Sequence, residues 1–267
     1  MTCEVKIIAD SINRLNVRIT TFQLRYWRAI HSEFMTHRVF SRNAMSSRAV
    51  PVEKMLKQVR NEPAGPIRFM KNKPGMQATE YCTSQEEAEA RATWDGAAAS
   101  AAYHAEQLMA IGIHKQFANR LLEPFQYISV VVTATDWDNF WALRCHPDAM
   151  PEIQELAIEM KKQYDAHAPQ LLSPGEWHTP YADSRLSYKD RIIQSVARCA
   201  RVSYNNHDGS ETTMEGDTKL HNQLTQAVPP HMSPAEHQAE CTAQWTRSGN
   251  FGCGWSQYRK QLEVPNG

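Results

Sequence analysis

The chain has 267 residues and a mass of 30.5 kDa, enough for one large domain or two small ones. With 42% of residues hydrophobic and 22% charged, the composition is globular, and disorder over most of the chain is excluded. Lys plus Arg number 29 and Asp plus Glu number 29, so no net positive field drives counterion release, and a general nucleic-acid binder is disfavoured.

The opening MTCEVKIIADS lacks the basic and apolar regions of a signal peptide, so a cytoplasmic location is expected. Residues 5–8 and 17–24 are β-rich and predict two strands. From Tyr26 the period changes: Trp27, Ile30, Phe34 and Arg38 fall at helical offsets, predicting an amphipathic helix that runs into a Ser- and Arg-rich stretch at 41–48. Pro51 opens a short helix to about Arg60, and prolines and glycines between 63 and 75 break the pattern across a long loop. Loops of that length are usually functional or disordered.

Residues 85–110 are Ala/Glu-rich and predict a helix, followed by a second at 114–122 that ends before Pro124. The apolar run 127–133 predicts a strand; extended to Ala134 it is still too short to cross a bilayer. Residues 136–144 carry Trp137, Phe140, Trp141 and Leu143, and Pro151 opens a helix with Ile153, Leu156, Ala157, Met160 and Tyr164 on one face. After a connector at 168–186, Ser187 and Asp190 resemble a capping box, with Ile193, Val196, Ala197 and Ala200 as that helix's apolar face. A polar loop at 205–217, a short helix around Leu220 and Leu224, and a glycine-rich tail with a final helix complete the chain. The six cysteines, Cys3, Cys82, Cys145, Cys199, Cys241 and Cys253, form no CxxC pair and read as reduced, half-buried thiols.

The sharpest local feature is THRVFSRNAMSSR at 36–48, a cluster of hydrogen-bond donors and positive charge suited to phosphate oxygens. Its bland reading is a solvated loop after a helix. The pattern His37, Arg38, Ser41, Asn43, Ser46 and Arg48 resembles the signature of the flavin-dependent thymidylate synthases. Six fixed positions make a chance match on the order of 10⁻⁸ per starting point. NRLLEPFQY at 119–127, NFWALR at 139–144 and AMPEI at 149–153 resemble the same family's second conserved run, placing Arg120, Asn139 and Arg144 on binding positions.

SVARCARVSYNN at 195–206 and HMSPAEH at 231–237 resemble segments that precede the arginine-rich signature in typical family members. Here they follow it, which implies a circularly permuted member. Read without the resemblance, HMSPAEH is a plain helix start, with Ser233 as N-cap, Pro234 at the first position and Glu236 at the third. KNKPGMQA at 71–78 and the tail GNFGCGWSQYRK resemble a bacteriophage branch, which would place the protein in a host cytoplasm.

The resemblance implies an α+β fold of the flavin-dependent thymidylate synthase type, permuted, with a mixed sheet and flanking helices. It is expected as a single domain over 1–267, with the signature half at about 1–167 and the permuted segment at about 187–245. It implies FAD as cofactor, NADPH and methylenetetrahydrofolate as co-substrates, dUMP or a related pyrimidine nucleotide as substrate, and a homotetramer, with no membrane, nucleic acid or metal. By resemblance, Arg144, Ser46 and His231 are the catalytic candidates, and Ser46, Arg48, Arg120 and Arg144 bind substrate. His37, Arg38, Asn43, Asn139, Ser203, His231 and Ser233 match positions that bind or border FAD. Ser46 is not a hydrolase-type nucleophile, since no His/Asp pair accompanies it.

The chain also departs from the pattern. Thr36 stands for the signature's first arginine, Ala44 for an acidic residue and Ala49 for a tyrosine, while Asp148 and Met150 replace a His and a Gln. Two alternatives to thymidylate synthesis stay open: another C5 modification, such as hydroxymethylation or action on a cytosine nucleotide, and a non-catalytic nucleotide-binding homologue.

Overall fold

The computed structural model describes residues 3–75, 77–202 and 212–263. Strands β1 (Glu4–Ile12) and β2 (Arg18–Trp27) form an antiparallel hairpin. Asn13 closes its turn, the side-chain Oδ1 accepting the amides of Leu15 and Val17 at 3.0 Å each. With β3 (Ser41–Ala44), β4 (Tyr127–Ala134) and β5 (Gln170–Leu171) they make a five-stranded sheet in the order β3-β4-β2-β1-β5. The β1/β5 pair is parallel and the others antiparallel, so the sheet is mixed. A second sheet of β6 (Trp177–His178), β7 (Ala239–Cys241) and β8 (Trp255–Gln257) is built mainly from the C-terminal part of the chain.

Helices α1 (His31–Phe34), α2 (Val52–Asn61), α3 (Ser84–Ala110) and α4 (Lys115–Ala118) precede β4. They are followed by α5 (Asp138–Arg144), α6 (Pro151–Ala166), α7 (Tyr188–Ala200), α8 (Met214–Thr225) and α9 (Tyr258–Leu262). Among the described residues no helix is long and apolar enough to cross a membrane.

Phe22, Leu24 and Tyr26 alternate along β2 and point to one face, where they meet Val130 and Val132, the aromatic group Phe34, Phe40, Trp137 and Phe140, and the apolar stripe of α6. A second core joins Val52, Met55, Leu56 and Val59 of α2 to Ala98, Ala102 and Ala105, whose small side chains let the two helices approach. Ile19, Leu172, Ala239, Phe251 and Trp255 bind the second sheet to the first. All six cysteines are free: Cys3, Cys199 and Cys241 are buried and the others partly so, as read from the sequence.

The long helices match the sequence reading closely. Pro151 opens α6, and Thr83 with Glu86 closes a capping box at α3. Three expectations are corrected. The amphipathic helix from Tyr26 is absent, because Tyr26 and Trp27 remain paired with Ile128 and Tyr127 of β4. A 3-10 turn (Arg28–Ile30) and the single turn of α1 then carry Ile30 and Phe34 into the core at spacings that resemble a helix. The helix at 114–122 is instead α4 followed by a 3-10 segment, Asn119–Phe125, that contains Pro124. Ser233 is not an N-cap: Ser233–Glu236 is a 3-10 turn with no side-chain cap.

Candidate functional site

The residues singled out in the sequence gather along 33–48, where three polar clusters meet α5, the 119–125 turn and the C-terminal segments. Arg144, the last residue of α5, is fixed by three acceptors, one just before the signature stretch and two at its start. Its Nη1 donates to Glu33 at 2.8 Å, Nε to His37 Nε2 at 3.0 Å and Nη2 to the Thr36 hydroxyl at 3.4 Å. The α5 helix aims this side chain because Phe140 and Trp141, on its other side, are buried in the aromatic core.

His37 is buried, packed against Phe40 and edge-on to Phe140, with centroids at 5.6 and 4.9 Å. Burial, and then the neighbouring guanidinium groups of Arg144 and Arg42, lower its pKa to about 4. A neutral ring is also what the hydrogen bond requires, since Nε2 must offer a lone pair to Arg144. His37 thus supports Arg144 from within the aromatic core.

The second cluster forms on β3. Asn43 donates through Nδ2 to the Cys199 carbonyl at 2.6 Å and accepts at Oδ1 from the Ser233 hydroxyl at 3.4 Å. Arg42 donates to the carbonyls of Met35 and His37, holding the turn that carries His37. The two C-terminal segments noted in the sequence, around 199 and 233, thus dock on the signature strand itself. Gln257 of β8 adds a donor to Ser41 at 3.0 Å.

The third cluster surrounds Ser46. Its hydroxyl accepts the Arg48 amide at 3.3 Å, and its carbonyl accepts the Ala49 amide at 3.0 Å, forming a tight turn after β3. Glu123 collects Ser47 Oγ at 2.6 Å, Arg120 at 2.8 Å and Arg28 at 3.1 Å. Burial lowers the pKa of Arg28, and the Glu123 carboxylate opposes that shift. Asn119 donates to the carbonyls of Ser47 and Val50, tying the 119–125 turn to the same loop. Arg48 and Arg120 are exposed, with Arg120 already sharing one nitrogen with Glu123.

The remaining candidates are distributed around these clusters. Arg38, Asn139, His231 and Ser233 are exposed, and the amide of His231 donates to the Leu224 carbonyl at 2.8 Å. Ser203 lies outside the described residues. The structure thus links His37, Arg144, Asn43 and Ser233 into contacts within two clusters, and relates Ser46 and Arg48 to Arg120 through Ser47 and Glu123.

Sequence reasoning missed Glu33 and Glu123, the two carboxylates that hold the arginines. It also missed a buried chain of hydroxyls and imidazoles joining the two sheets. Ser11 Oγ lies 2.9 Å from His178 Nδ1, His178 Nε2 lies 2.8 Å from Thr21 Oγ1, and Thr21 lies 2.7 Å from Thr133 Oγ1. Thr133 in turn lies 2.9 Å from His237 Nδ1, and among the described residues His237 Nε2 has no partner. The only signal available was the placement of Thr21 and Thr133 on apolar strands, where an uncharged hydroxyl needs a partner.

A flavin dinucleotide needs donors for its pyrophosphate and ribose groups. The exposed side chains of Arg38, Asn139 and His231 fit that need, whereas His37, Asn43 and the Ser233 hydroxyl are engaged within the chain.

Comparison with known proteins adds three findings. The model of the family described as thymidylate synthase complementing protein matches residues 15–170, more than half of the chain. A UMP/dUMP methylase, PolB from Streptomyces cacaoi, solved with 5-Br UMP, superposes with a TM-score of 0.51 at 18% identity, covering 61% of this chain and 89% of the other. The same protein with 5-Br dUMP gives a TM-score of 0.51 at 17% identity over 61% and 90%. No curated protein sequence matches the chain.

Proposed function

This chain belongs to the thymidylate synthase complementing protein family, and from that premise we propose that it is an FAD-dependent enzyme converting dUMP to dTMP with methylenetetrahydrofolate and NADPH. The balance is a methylene carbon from the folate and a hydride from NADPH with a proton. The C5 hydrogen of uracil is replaced by methyl, and tetrahydrofolate and NADP⁺ leave. The observation that carries the reading is Arg144, whose guanidinium is fixed by Glu33 and by Thr36 and His37 of the signature stretch. That PolB is a methylase of UMP and dUMP supports a pyrimidine nucleotide as the substrate class.

The electron-rich C5 of uracil calls for electrostatic help more than for a protein nucleophile. Arg144 supplies it by placing guanidinium N–H groups at a pyrimidine carbonyl as negative charge develops there. His37 stays neutral and keeps Arg144 in one orientation, so that little reorganisation is needed during the reaction. Ser46, Arg48 and Arg120 provide hydroxyl and guanidinium donors for the phosphate. Arg38, Asn139 and His231 hold the FAD, with Ser203 and Ser233 as further contacts, and the flavin supplies the hydride-transfer chemistry when bound. The contacts of Cys199 and Ser233 with Asn43 support the reading that about 187–245 is a permuted segment completing the site. A homotetramer is the assembly proposed for the active form.

A second reading keeps the nucleotide and changes the base or the product. Glu33 sets a carboxylate acceptor beside the Arg144 donor, and that pair can read the N3–H of uracil or the amino group of cytosine. Mass spectrometry of the nucleotide after incubation of FAD-loaded protein with dUMP, methylenetetrahydrofolate and NADPH tests both. A one-methyl gain on dUMP is expected. Bound FAD with no product from dUMP, but product from dCMP, replaces the first reading by the second; no product from either rejects both.

A further inference from the structure

Strand β3 carries two polar side chains on one face, Ser41 and Asn43, and each is tied to one end of the 3-10 turn Ser233–Glu236. The start of the turn is held directly, the Ser233 hydroxyl donating to Asn43 Oδ1 at a long 3.4 Å. Its end is held through the C-terminal tail. Gln257 Nε2 donates to Ser41 Oγ at 3.0 Å and to the Glu236 carbonyl at 2.9 Å. A primary amide offers two N–H donors in one rigid plane, so this one side chain sets the separation of strand and turn. Ser41 is fully buried and Gln257 is 2% exposed, so water does not replace the bridge, and Asn250 reaches the same hydroxyl only at 3.5 Å.

The tail that carries Gln257 is firmly seated. Phe251 and Trp255 fill the core between the two sheets, and the Trp255 indole donates to the Val17 carbonyl at 3.0 Å. From α9, the Tyr258 amide donates to the Gln238 carbonyl at 3.0 Å and Arg259 pairs with the Glu236 carboxylate. Three consecutive tail residues therefore grip the end of the segment that begins at His231. The family match ends at residue 170 and does not reach this tail.

We propose that Gln257 is a positioning residue for the cofactor, setting the distance between the signature strand and the 231–237 segment, the two walls that carry Arg38 and His231. The inference rests on the FAD reading above. Without the amide, the turn keeps only the long Ser233–Asn43 bond to the strand, and His231 loses its fixed place relative to Arg38. The nucleotide side is fixed through other partners: Glu33 and His37 hold Arg144, and Glu123 holds Arg120.

Gln257→Met keeps the length and apolar contacts of the side chain and removes both donors. In the full-length chain, FAD titrated by flavin fluorescence and dUMP titrated by calorimetry read the two sides separately. FAD affinity is expected to fall about tenfold, with dUMP affinity within about twofold of the parent. A role confined to stability would lower the urea midpoint and leave both affinities of the folded protein unchanged, or lower them alike. Because Gln257 is buried, Gly249→Ala is the second variant: the glycine is exposed at φ +60°, and a Cβ there would collide with Gln257 Oε1 and push the amide off Ser41. In ligand-free protein, either variant is expected to speed hydrogen exchange at 41–44 and 233–238 while 46–50 and 119–125 keep their rates. Unchanged FAD affinity in a folded variant, an equal loss for dUMP, or unaltered exchange at 41–44 and 233–238 overturns the proposal. If the parent binds no FAD, the cofactor reading falls, and the exchange comparison alone decides whether Gln257 clamps the two walls.

Discussion

Lowering the pH from 7 to 5 is expected to destabilise the fold through His178 and His237. Both rings are buried, at 1% and 0% exposure, and both have pKa values lowered to about 3 from 6.5, chiefly by burial. With folded-state values below the unfolded one, protons are taken up on unfolding. The stability that the neutral rings provide is fully present above pH 6.5 and is lost progressively as the pH falls from there toward 3. At pH 5, about 1.5 units below the unfolded value, each ring forfeits about 2 kcal/mol and the pair about 4 kcal/mol. Averaged over pH 7 to 5, that is about 2 kcal/mol per pH unit. His31 and His37, each lowered to about 4, add to it in the same direction. Urea unfolding at pH 7, 6 and 5 at constant ionic strength measures the slope directly. His237→Gln removes one titrating ring from the hydroxyl–imidazole chain and should reduce the slope by about 1 kcal/mol per unit, whatever it costs at pH 7. Stability that is flat between pH 7 and 5, or a slope unchanged in the variant, refutes the reasoning.

Arg144→Lys keeps the positive charge and loses the fork; kcat/KM is expected to fall about 10²- to 10³-fold. Because the Arg144–Glu33 pair is partly solvated, at 19% and 36% side-chain exposure, the urea midpoint should move little, and activity within twofold of the parent would contradict the assignment. Glu123→Ala strips the acceptor from Ser47, Arg120 and the largely buried Arg28, with an expected cost of about 2–3 kcal/mol in urea unfolding; a loss under 1 kcal/mol would show that Glu123 is dispensable. Gly254→Ala places a Cβ 2.3 Å from Asn13 Nδ2 at φ +80°, so the tail's docking on the β1–β2 turn should weaken by about 2 kcal/mol or more. Gly112→Ala, at φ +81° with open space around it, is the control and should cost only about 1 kcal/mol.

What the sequence made legible follows from how local each signal was. The α3 and α6 helices could be read because their signals are short-range: an Ala/Glu-rich run of high helix propensity, and Pro151 at the first turn. The residues after Tyr26 misled because apolar side chains at 27, 30 and 34 satisfy a helical spacing while the backbone is still in β2 at Trp27. Periodicity counts side chains and does not see the strand partner, here Tyr127 and Ile128 about a hundred residues away. The site divides in the same way. Arg144, Ser46 and Asn43 were singled out through a motif, whereas Glu33 and Glu123 became visible only when the fold set them against Arg144, Arg120 and Arg28. The hydroxyl–imidazole chain from Ser11 to His237 spans four elements and a turn, and no two of its members share an element.

The departures from the family pattern gain a physical meaning from Glu33 and Thr36. The sequence lacks the signature's first arginine and an acidic residue, which leaves the local charge unchanged on paper. In the structure Thr36 donates to the Glu33 carbonyl at 2.7 Å and accepts from Arg144 at 3.4 Å, so a hydroxyl fills the position where a second cation would repel Arg144. Glu33 then gives Arg144 a carboxylate partner before any substrate arrives. A guanidinium engaged in this way binds a neutral carbonyl weakly, because the carbonyl must compete with a charged oxygen. It gains most when the ligand itself becomes negative, and that is the condition for stabilising a transition state more than a ground state. On this argument Glu33→Gln should tighten nucleotide binding while lowering kcat, since it releases Arg144 in the ground state and removes the competition that makes its pull selective. Tighter binding with an unchanged or higher kcat would mean that Glu33 is only a structural anchor for the end of α5.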